Sequence, residues 1–311
     1  MAGIIKREQT LDKFFSGITF SAAFLVLAIV VSIFISLFRE SLTAIDAFGF
    51  IGFVSSTAWD PVREQFGAAT TLYGTLVTTL LALIMAVPVS LGIAIFITEL
   101  CPKVLKPIFA TAIELLAAIP SIIYGMWGLF TFAPLMGEYV EPLLQHLFEP
   151  IPLFGQLFTG VPLGIDILTT SIILSIMITP FIASIVRDTF ALTPVQLKES
   201  AYGIGATRWE VIKDVMIPYA KTGIFGSVII AMGRALGETM AVAFVLGNKH
   251  AIATSLFDAS ATITVTLANE FTEADSDLYL SSLFYLALIL LGMNFLLLSI
   301  AKTFLARGAK R

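Results

Sequence analysis

Two ionisable residues, Arg234 and Glu238, lie inside a long apolar stretch of the chain. A charged side chain at bilayer depth costs roughly 2.5–3.5 kcal/mol on insertion scales and therefore commonly marks a functional site. Residues four apart on a continuous helix share a face, so we expect these two side chains to pair. A guanidinium offers a fork of donors that suits a carboxylate or a phosphate oxyanion. Two roles stay open: a structural pair, or the lining of a substrate pathway.

A proline-containing segment, Ala117 to Gly125, supplies two further pathway candidates. Pro120 cannot donate a main-chain hydrogen bond and so leaves one carbonyl of the helix free. Ser121 and Tyr124 add hydroxyl groups beside it. Non-helical backbone at membrane depth is tolerated where it faces protein or a water-filled cavity. We therefore expect a kink at Pro120, with Ser121 and Tyr124 on the pathway.

The polar stretch 192–218 separates two apolar segments and has the pattern of two short helices. Pro194 begins the first helix, which runs to about Tyr202, and glycines including Gly205 break it. The second helix is expected to end at Pro218. Two short helices joined by a glycine turn form a rigid projection that suits a groove on a soluble partner.

Transmembrane helices must position these residues. Charged residues are only 13% of the 311-residue chain and mean hydropathy is +0.95, whereas about 25% of an ordinary soluble domain is charged. The apolar runs are too continuous for the strands of a membrane barrel. We predict an all-α integral membrane protein with six transmembrane helices, each near the required 20 or so residues. The predicted spans are Phe14–Phe38, Leu72–Ile97, Ile108–Leu135, Ile165–Val186, Thr222–Leu246 and Leu280–Phe304.

The basic residues predict the orientation and the domain limits. Fourteen of the 18 Lys and Arg residues lie on the side that holds both termini, which is therefore expected to be cytoplasmic. The opposite side carries thirteen acidic residues, either as solvated loops or as a docking rim for an external protein. We predict an anchor helix and first external loop over 1–71, a transmembrane domain over 72–306 that includes segment 192–218, and a tail over 307–311.

Several classes of function are excluded by what the chain lacks. A pI near 5.3 argues against nucleic-acid binding. One cysteine and two histidines exclude a disulfide framework and leave no metal cluster to propose. No G-x-x-x-x-G-K-[ST] phosphate loop is present, so ATP hydrolysis through that motif is not expected. We predict no catalytic residue, metal or cofactor; the chain is not expected to be an enzyme.

Segment 192–218 resembles the cytoplasmic motif of the permease subunits of bacterial ABC importers. That motif is E-A-A, three residues, G, nine residues, then I-x-L-P. Glu199, Ala201, Gly205 and Pro218 match it at the required spacing, while Ser200 replaces the middle alanine. In the family this segment is the coupling helix that docks on the ATP-binding subunit. The resemblance implies a type I importer permease fold, called MetI-like.

Two other stretches, Ala117–Gly128 and Arg234–Phe244, look like the phosphate-specific permeases of the PstC type. This resemblance implies an importer for inorganic phosphate in the bacterial inner membrane. It also implies as partners a homologous permease of the PstA type, two ATP-binding subunits of the PstB type, an external phosphate-binding protein of the PstS type and membrane lipid. Chemistry alone leaves a second class open, an anion transporter or channel driven by an ion gradient. A third class is a non-transporting membrane scaffold or signalling subunit.

Overall fold

The computed structural model describes residues 2–151 and 154–308, with side chains for 12–151 and 154–303. Regular structure in this part of the chain is helical, and only two isolated β-bridges interrupt it. The α-helices are α1 Ala2–Glu40, α2 Leu42–Phe48, α3 Phe50–Ser55, α4 Ala69–Ile95, α5 Lys106–Ala118, α6 Ser121–Trp127, α7 Ala133–Leu135, α8 Glu141–Phe148, α9 Ile167–Ala191, α10 Val195–Gly203, α11 Arg208–Glu210, α12 Ile217–Leu236, α13 Met240–Val245, α14 Ile263–Glu270 and α15 Asp277–Gly308. Wider π-helical turns cover Phe96–Leu100, Gly128–Phe132, Met136–Val140 and Val211–Met216, and a 3-10 turn covers Gly155–Phe158.

Within the described residues, five continuous helical segments are long and apolar enough to cross a membrane. They are Asp12–Glu40, Ala69–Leu100, Ile167–Ala191, Arg208–Leu236 and Asp277–Thr303. A bent pair, Lys106–Ala118 with Ser121–Phe148, brings the number to six if it is counted as one span. The predicted all-α membrane architecture is therefore confirmed. Of the predicted tail, residues 309–311 lie outside the described part of the chain.

The third predicted span is bent rather than merely kinked. Its two halves meet at 87° around Ile119 and Pro120. Pro120 lacks the N–H that would bond to the carbonyl four residues back, so the helix cannot continue through it unchanged. The second half also runs further than predicted, since helical structure continues to Phe148. The stretch between the third and fourth predicted spans therefore begins as a helix and not as a loop.

The fifth predicted span was wrong at both ends. It begins at Arg208, and Pro218 does not end a helix but occupies the first turn of α12. The π-helical turn Val211–Met216 leads into that first turn, where proline is tolerated. The span ends at Leu236 rather than Leu246, because the chain leaves the helix at Gly237 and resumes as the separate α13.

The core of the described structure forms where α4 packs along α9. Small side chains of α4, among them Ala82 and Ala86, share one buried cluster with Ile178 and Ile182 of α9. The two helices are also joined by a hydrogen bond from the Ser90 hydroxyl to the Thr179 carbonyl, 3.0 Å long. Small residues allow close approach of helices in a membrane, where hydrophobic burial does not drive their association. These two helices therefore form the rigid frame of the domain.

Candidate functional site

The predicted ion pair between Arg234 and Glu238 does not form. Arg234 lies in the last turn of α12, and Glu238 comes after the helix has ended at Leu236. The four-residue spacing therefore no longer places the two side chains on one helical face. Arg234 is exposed, and its side chain has no ion pair or hydrogen bond with any residue that the structure describes. Its guanidinium keeps all five of its N–H donors for another group.

Glu238 is instead held by the break between α12 and α13. Its carboxylate oxygen Oε1 accepts the Ala241 N–H at 3.3 Å, in the first turn of α13. Its main-chain carbonyl accepts the Thr264 hydroxyl at 2.8 Å. These contacts satisfy polar groups that the interrupted helix would otherwise leave without partners. Glu238 therefore fixes the shape of the break.

Thr264, which sequence reasoning missed, holds this break from a neighbouring helix. Its hydroxyl also lies 3.2 Å from that of Thr262, which accepts the Val265 N–H and so caps α14. The only sequence signal was the alternation of threonines at 262, 264 and 266 in an apolar region. Such residues commonly stabilise helix starts, and nothing local connects them to a segment more than twenty residues away.

The break at Pro120 lies beside the break after Arg234. Leu116 is the residue whose carbonyl Pro120 leaves free, and the buried Tyr124 hydroxyl donates to it at 2.9 Å. Ser121 is half-buried at the start of α6. Three of the four predicted pathway residues, Arg234, Glu238 and Tyr124, therefore lie at two helix breaks that face each other.

Gly125 permits this close approach of the two breaks. A Cβ added to Gly125 would lie 2.9 Å from the Met240 carbonyl oxygen and 3.0 Å from the Cα of Ala241. A side chain at this position would therefore push α6 away from the start of α13. Broken helices that meet at membrane depth commonly form ion and substrate sites in transporters.

Segment 192–218 forms the expected projection. The first helix is α10, and the chain then turns at Gly205, whose φ of +94° favours glycine. Thr207 and Glu210 form a capping box that starts the following helix. Glu199 is exposed and Ala201 is half-buried, and Ile204 at the turn is 89% exposed. The expected helix end at Pro218 was wrong, because the helix continues through it, and the docking roles of the four motif residues stay predictions.

Three acidic residues of the side that the charge pattern predicts to be external are buried. Glu270 accepts hydrogen bonds from Trp59 Nε1 at 2.7 Å and from the Tyr279 hydroxyl at 2.6 Å, and pairs with His250 at 3.0 Å. Burial raises the pKa of Glu270, but the hydrogen bonds outweigh it and the net pKa is below its usual value. Glu270 therefore joins loops and α15 and does not belong to a solvated acidic rim.

The other two buried acidic residues, Glu141 and Asp166, form a pair. Asp166 caps α9 by accepting the Thr169 N–H at 2.8 Å, and Glu141 accepts the Gly164 N–H at 3.2 Å. Both residues are 0% exposed, and the Asp166 carboxyl interacts with that of Glu141. Burial, and next the neighbouring Glu141 carboxyl, raise the pKa of Asp166 to about 8. The Asp166 carboxyl therefore keeps its proton at neutral pH.

Comparison with known families gives a match over most of the chain. Residues 86–310 match the family described as binding-protein-dependent transport system inner membrane component. A "Phosphate transport system permease protein PstC" of Mesorhizobium japonicum is 53% identical over 97% of this chain and 92% of its own length. The protein of the same name from Pasteurella multocida is 48% identical over 98% of this chain and 94% of its own.

Similarity extends to an archaeal protein and to solved structures. A "Probable phosphate transport system permease protein PstC" of Methanocaldococcus jannaschii is 37% identical over 93% of this chain and 92% of its own. An inward-facing structure of the MetNI methionine ABC transporter aligns with a TM-score of 0.54 and 16% identity, covering 79% of this chain and 95% of the matched chain. At that identity the alignment supports the fold alone, and the fold is the MetI-like one expected.

Proposed function

The chain belongs to the binding-protein-dependent transport system inner membrane component family, and on that premise we infer that it is the PstC-type permease subunit of an ATP-driven importer of inorganic phosphate. The observation that carries this conclusion is the 53% identity to a PstC relative over nearly the full length of both chains. The free guanidinium of Arg234 between two helix breaks supplies chemistry that suits an oxyanion. The chemistry of these residues indicates only that the substrate is an oxyanion. The identification of that oxyanion as phosphate rests on the similarity to the PstC relatives.

In this proposal Arg234 is the residue that contacts the passing phosphate. A planar fork of donors can bind two phosphate oxygens at once, which a single ammonium group cannot. Glu238 and Tyr124 hold the two broken helices around Arg234 through the contacts at 3.3 and 2.9 Å. Ser121 adds a hydroxyl at the start of α6. Because no acidic side chain among those that the structure describes pairs with Arg234, it does not have to exchange one ion pair for another when phosphate arrives.

The energy for transport is proposed to come from separate chains. The projection formed by 192–218 docks on an ATP-binding subunit through Glu199, Ala201, Gly205 and the helix that passes through Pro218. The exposed Ile204 and Trp209, 89% and 62% exposed, supply apolar contact area for such docking. The remaining proposed partners are a PstA-type permease, a pair of PstB-type ATPase subunits, a PstS-type phosphate-binding protein and membrane lipid. This chain then has no enzymatic activity of its own.

Transport in this proposal has three steps. Closure of the ATPase pair on ATP moves the projection, and the projection tilts the transmembrane helices. A cavity opens to the outside and accepts phosphate from the binding protein, after which phosphate passes Arg234 and leaves inward. Both termini and the projection lie on the cytoplasmic side of the bacterial inner membrane. We retain the domain limits 1–71, 72–306 and 307–311 as part of this proposal.

Uptake of radiolabelled phosphate by the reconstituted four-component complex tests the function. We expect uptake that requires ATP and is not inhibited by excess sulfate or molybdate. Uptake that persists without ATP and follows an ion gradient would instead establish the secondary-transporter alternative.

The variant Arg234→Gln tests the site within that assay. It removes the charge and the fork, so we expect uptake to fall by about a hundredfold or more, as when a charge-assisted contact of 3 kcal/mol is lost, while the complex still assembles. Arg63→Gln is the matched control, because Arg63 is 77% exposed and makes only a 3.6 Å pair with Asp60. Normal uptake by Arg234→Gln would remove Arg234 from the pathway.

A further inference from the structure

One partly buried ion pair joins the projection to the transmembrane frame. Lys198 of α10 lies 2.6 Å from Glu99, in the turn Phe96–Leu100 that continues α4. The two side chains are 20% and 14% exposed, whereas the adjacent Glu199 is exposed. An ion pair with so little solvent contact is weakly screened by salt. Breaking it leaves a charge in a partly dehydrated cleft.

The surroundings of the pair hold Glu99 in place and leave space beside it. The Lys106 ammonium donates to the Thr98 carbonyl, next to Glu99 in the chain. Arg187, at the end of α9, pairs with Glu114 of α5 at 3.0 Å and with Asp188 at 2.8 Å. A cleft of about 420 Å³ is lined by several of these residues, including Glu99 and Lys198. Within the described side chains, the Lys198–Glu99 pair is the polar contact from α10 to the helical segment that begins as α4, while α10 itself follows α9 in the chain and packs on the π-helical turn Val211–Met216.

A continuous set of contacts leads from this pair to the helix break at Glu238. Glu99 lies in the last turn of the helical segment Ala69–Leu100, which continues through Pro88 and the π-helical turn Phe96–Leu100. Near its other end, the Thr75 hydroxyl accepts the Ile263 N–H at 3.1 Å, at the start of α14. From α14, Thr264 donates to the Glu238 carbonyl at 2.8 Å. These contacts give a displacement of Glu99 a route to the segment that shapes the Arg234 site.

We propose that the Glu99–Lys198 ion pair is the contact through which movement of the projection is transmitted to α4 and from there to the helix break beside Arg234. This inference rests on the proposed function. It makes Glu99 and Lys198 positioning residues, which act on the transport site through the helices and do not touch phosphate. When an ATPase subunit moves α10, Lys198 moves Glu99. If the pair is absent, this direct route from α10 to α4 is lost, and movement of the projection reaches the transmembrane frame only through α9 and α12.

The test measures phosphate imported per ATP hydrolysed by the assembled complex in proteoliposomes. For Glu99→Gln and for Lys198→Gln we expect this ratio to fall by about fivefold or more, the size of a typical coupling term. ATP hydrolysis continues, and the phosphate concentration for half-maximal uptake is unchanged because neither residue contacts the Arg234 site. Lys103→Gln is the control, because Lys103 is exposed in the turn that precedes α5, and this variant should keep the wild-type ratio.

The double variant Glu99→Lys with Lys198→Glu tests the ion pair even if a single variant assembles poorly. The exchange restores the attraction, so we expect it to recover most of the imported phosphate per ATP. Wild-type ratios in both single variants would overturn the proposal, as would an exchanged pair that remains as uncoupled as either single variant. Absence of ATP-dependent uptake in the wild-type complex would instead refute the proposed function.

Discussion

The buried pair of Glu141 and Asp166 predicts an unusual dependence of stability on pH. The fold raises the pKa of Asp166 from 3.8 to about 8. The folded chain therefore retains a proton between those values that the unfolded chain has released. Stability from this proton is fully present below pH 4 and is lost as the pH rises towards 8.

The magnitude follows from the size of the shift. Each pKa unit corresponds to about 1.4 kcal/mol, so one retained proton lowers the free energy of unfolding by that amount per pH unit. Across the whole window, from 3.8 to about 8, the loss is roughly 6 kcal/mol.

The variant Asp166→Asn should abolish this dependence. The Asn side-chain oxygen can still cap α9 through the Thr169 N–H, because Asn is as good an N-cap as Asp. Its amide can donate to Glu141 without needing a proton. We expect equal stability of variant and wild type near pH 4 and a more stable variant at pH 9.

Thermal unfolding of the purified chain in detergent, from pH 5 to pH 9, measures this difference. The wild-type melting temperature should fall by roughly 2 °C or more per kcal/mol lost, while that of Asp166→Asn stays nearly constant. Asp258→Asn is the control, because this half-buried carboxylate accepts main-chain N–H groups at 3.0 Å, and the variant should keep the wild-type slope. Parallel curves for wild type and Asp166→Asn would refute the proton retained on Asp166.

Two further predictions concern the helix break and the projection. Thr264→Val removes the donor to the Glu238 carbonyl and should lower the maximal phosphate uptake rate about fivefold, since an unpaired buried carbonyl costs roughly 1–3 kcal/mol. Thr264→Ser keeps the hydroxyl and should retain the wild-type rate. Equal uptake rates in the two variants would show that this contact does not matter for transport. Gly205→Val forces a β-branched residue to φ +94° at a cost of about 1–3 kcal/mol, with no neighbouring atom within 4 Å to clash. ATP hydrolysis should then continue with little uptake, whereas normal coupling would show that the turn tolerates distortion.

Sequence patterns predicted the membrane helices well because hydropathy is a local property. Four of the six predicted spans correspond closely to continuous helices, and the proline at 120 marked the bend of a fifth. The end of the helix at Leu236 was not predicted, because the chain is rich in apolar residues on both sides of Gly237. What separates them is the capping of Ala241 by Glu238 and the hydroxyl of Thr264, and the latter is distant in sequence.

The sequence by itself determined that this protein lies in a membrane and which ionisable residues lie within its apolar stretches. Scarce charge requires a bilayer, and the few ionisable residues within apolar stretches identify Arg234 and Glu238. Only the tertiary structure decided how they are used. Because a glycine and a polar contact from another helix end α12, the expected pair is separated, and Arg234 is left free between two broken helices. Likewise, only folding brings Lys198 to Glu99, ninety-nine residues apart, since an ion pair depends on distance in space and not along the chain.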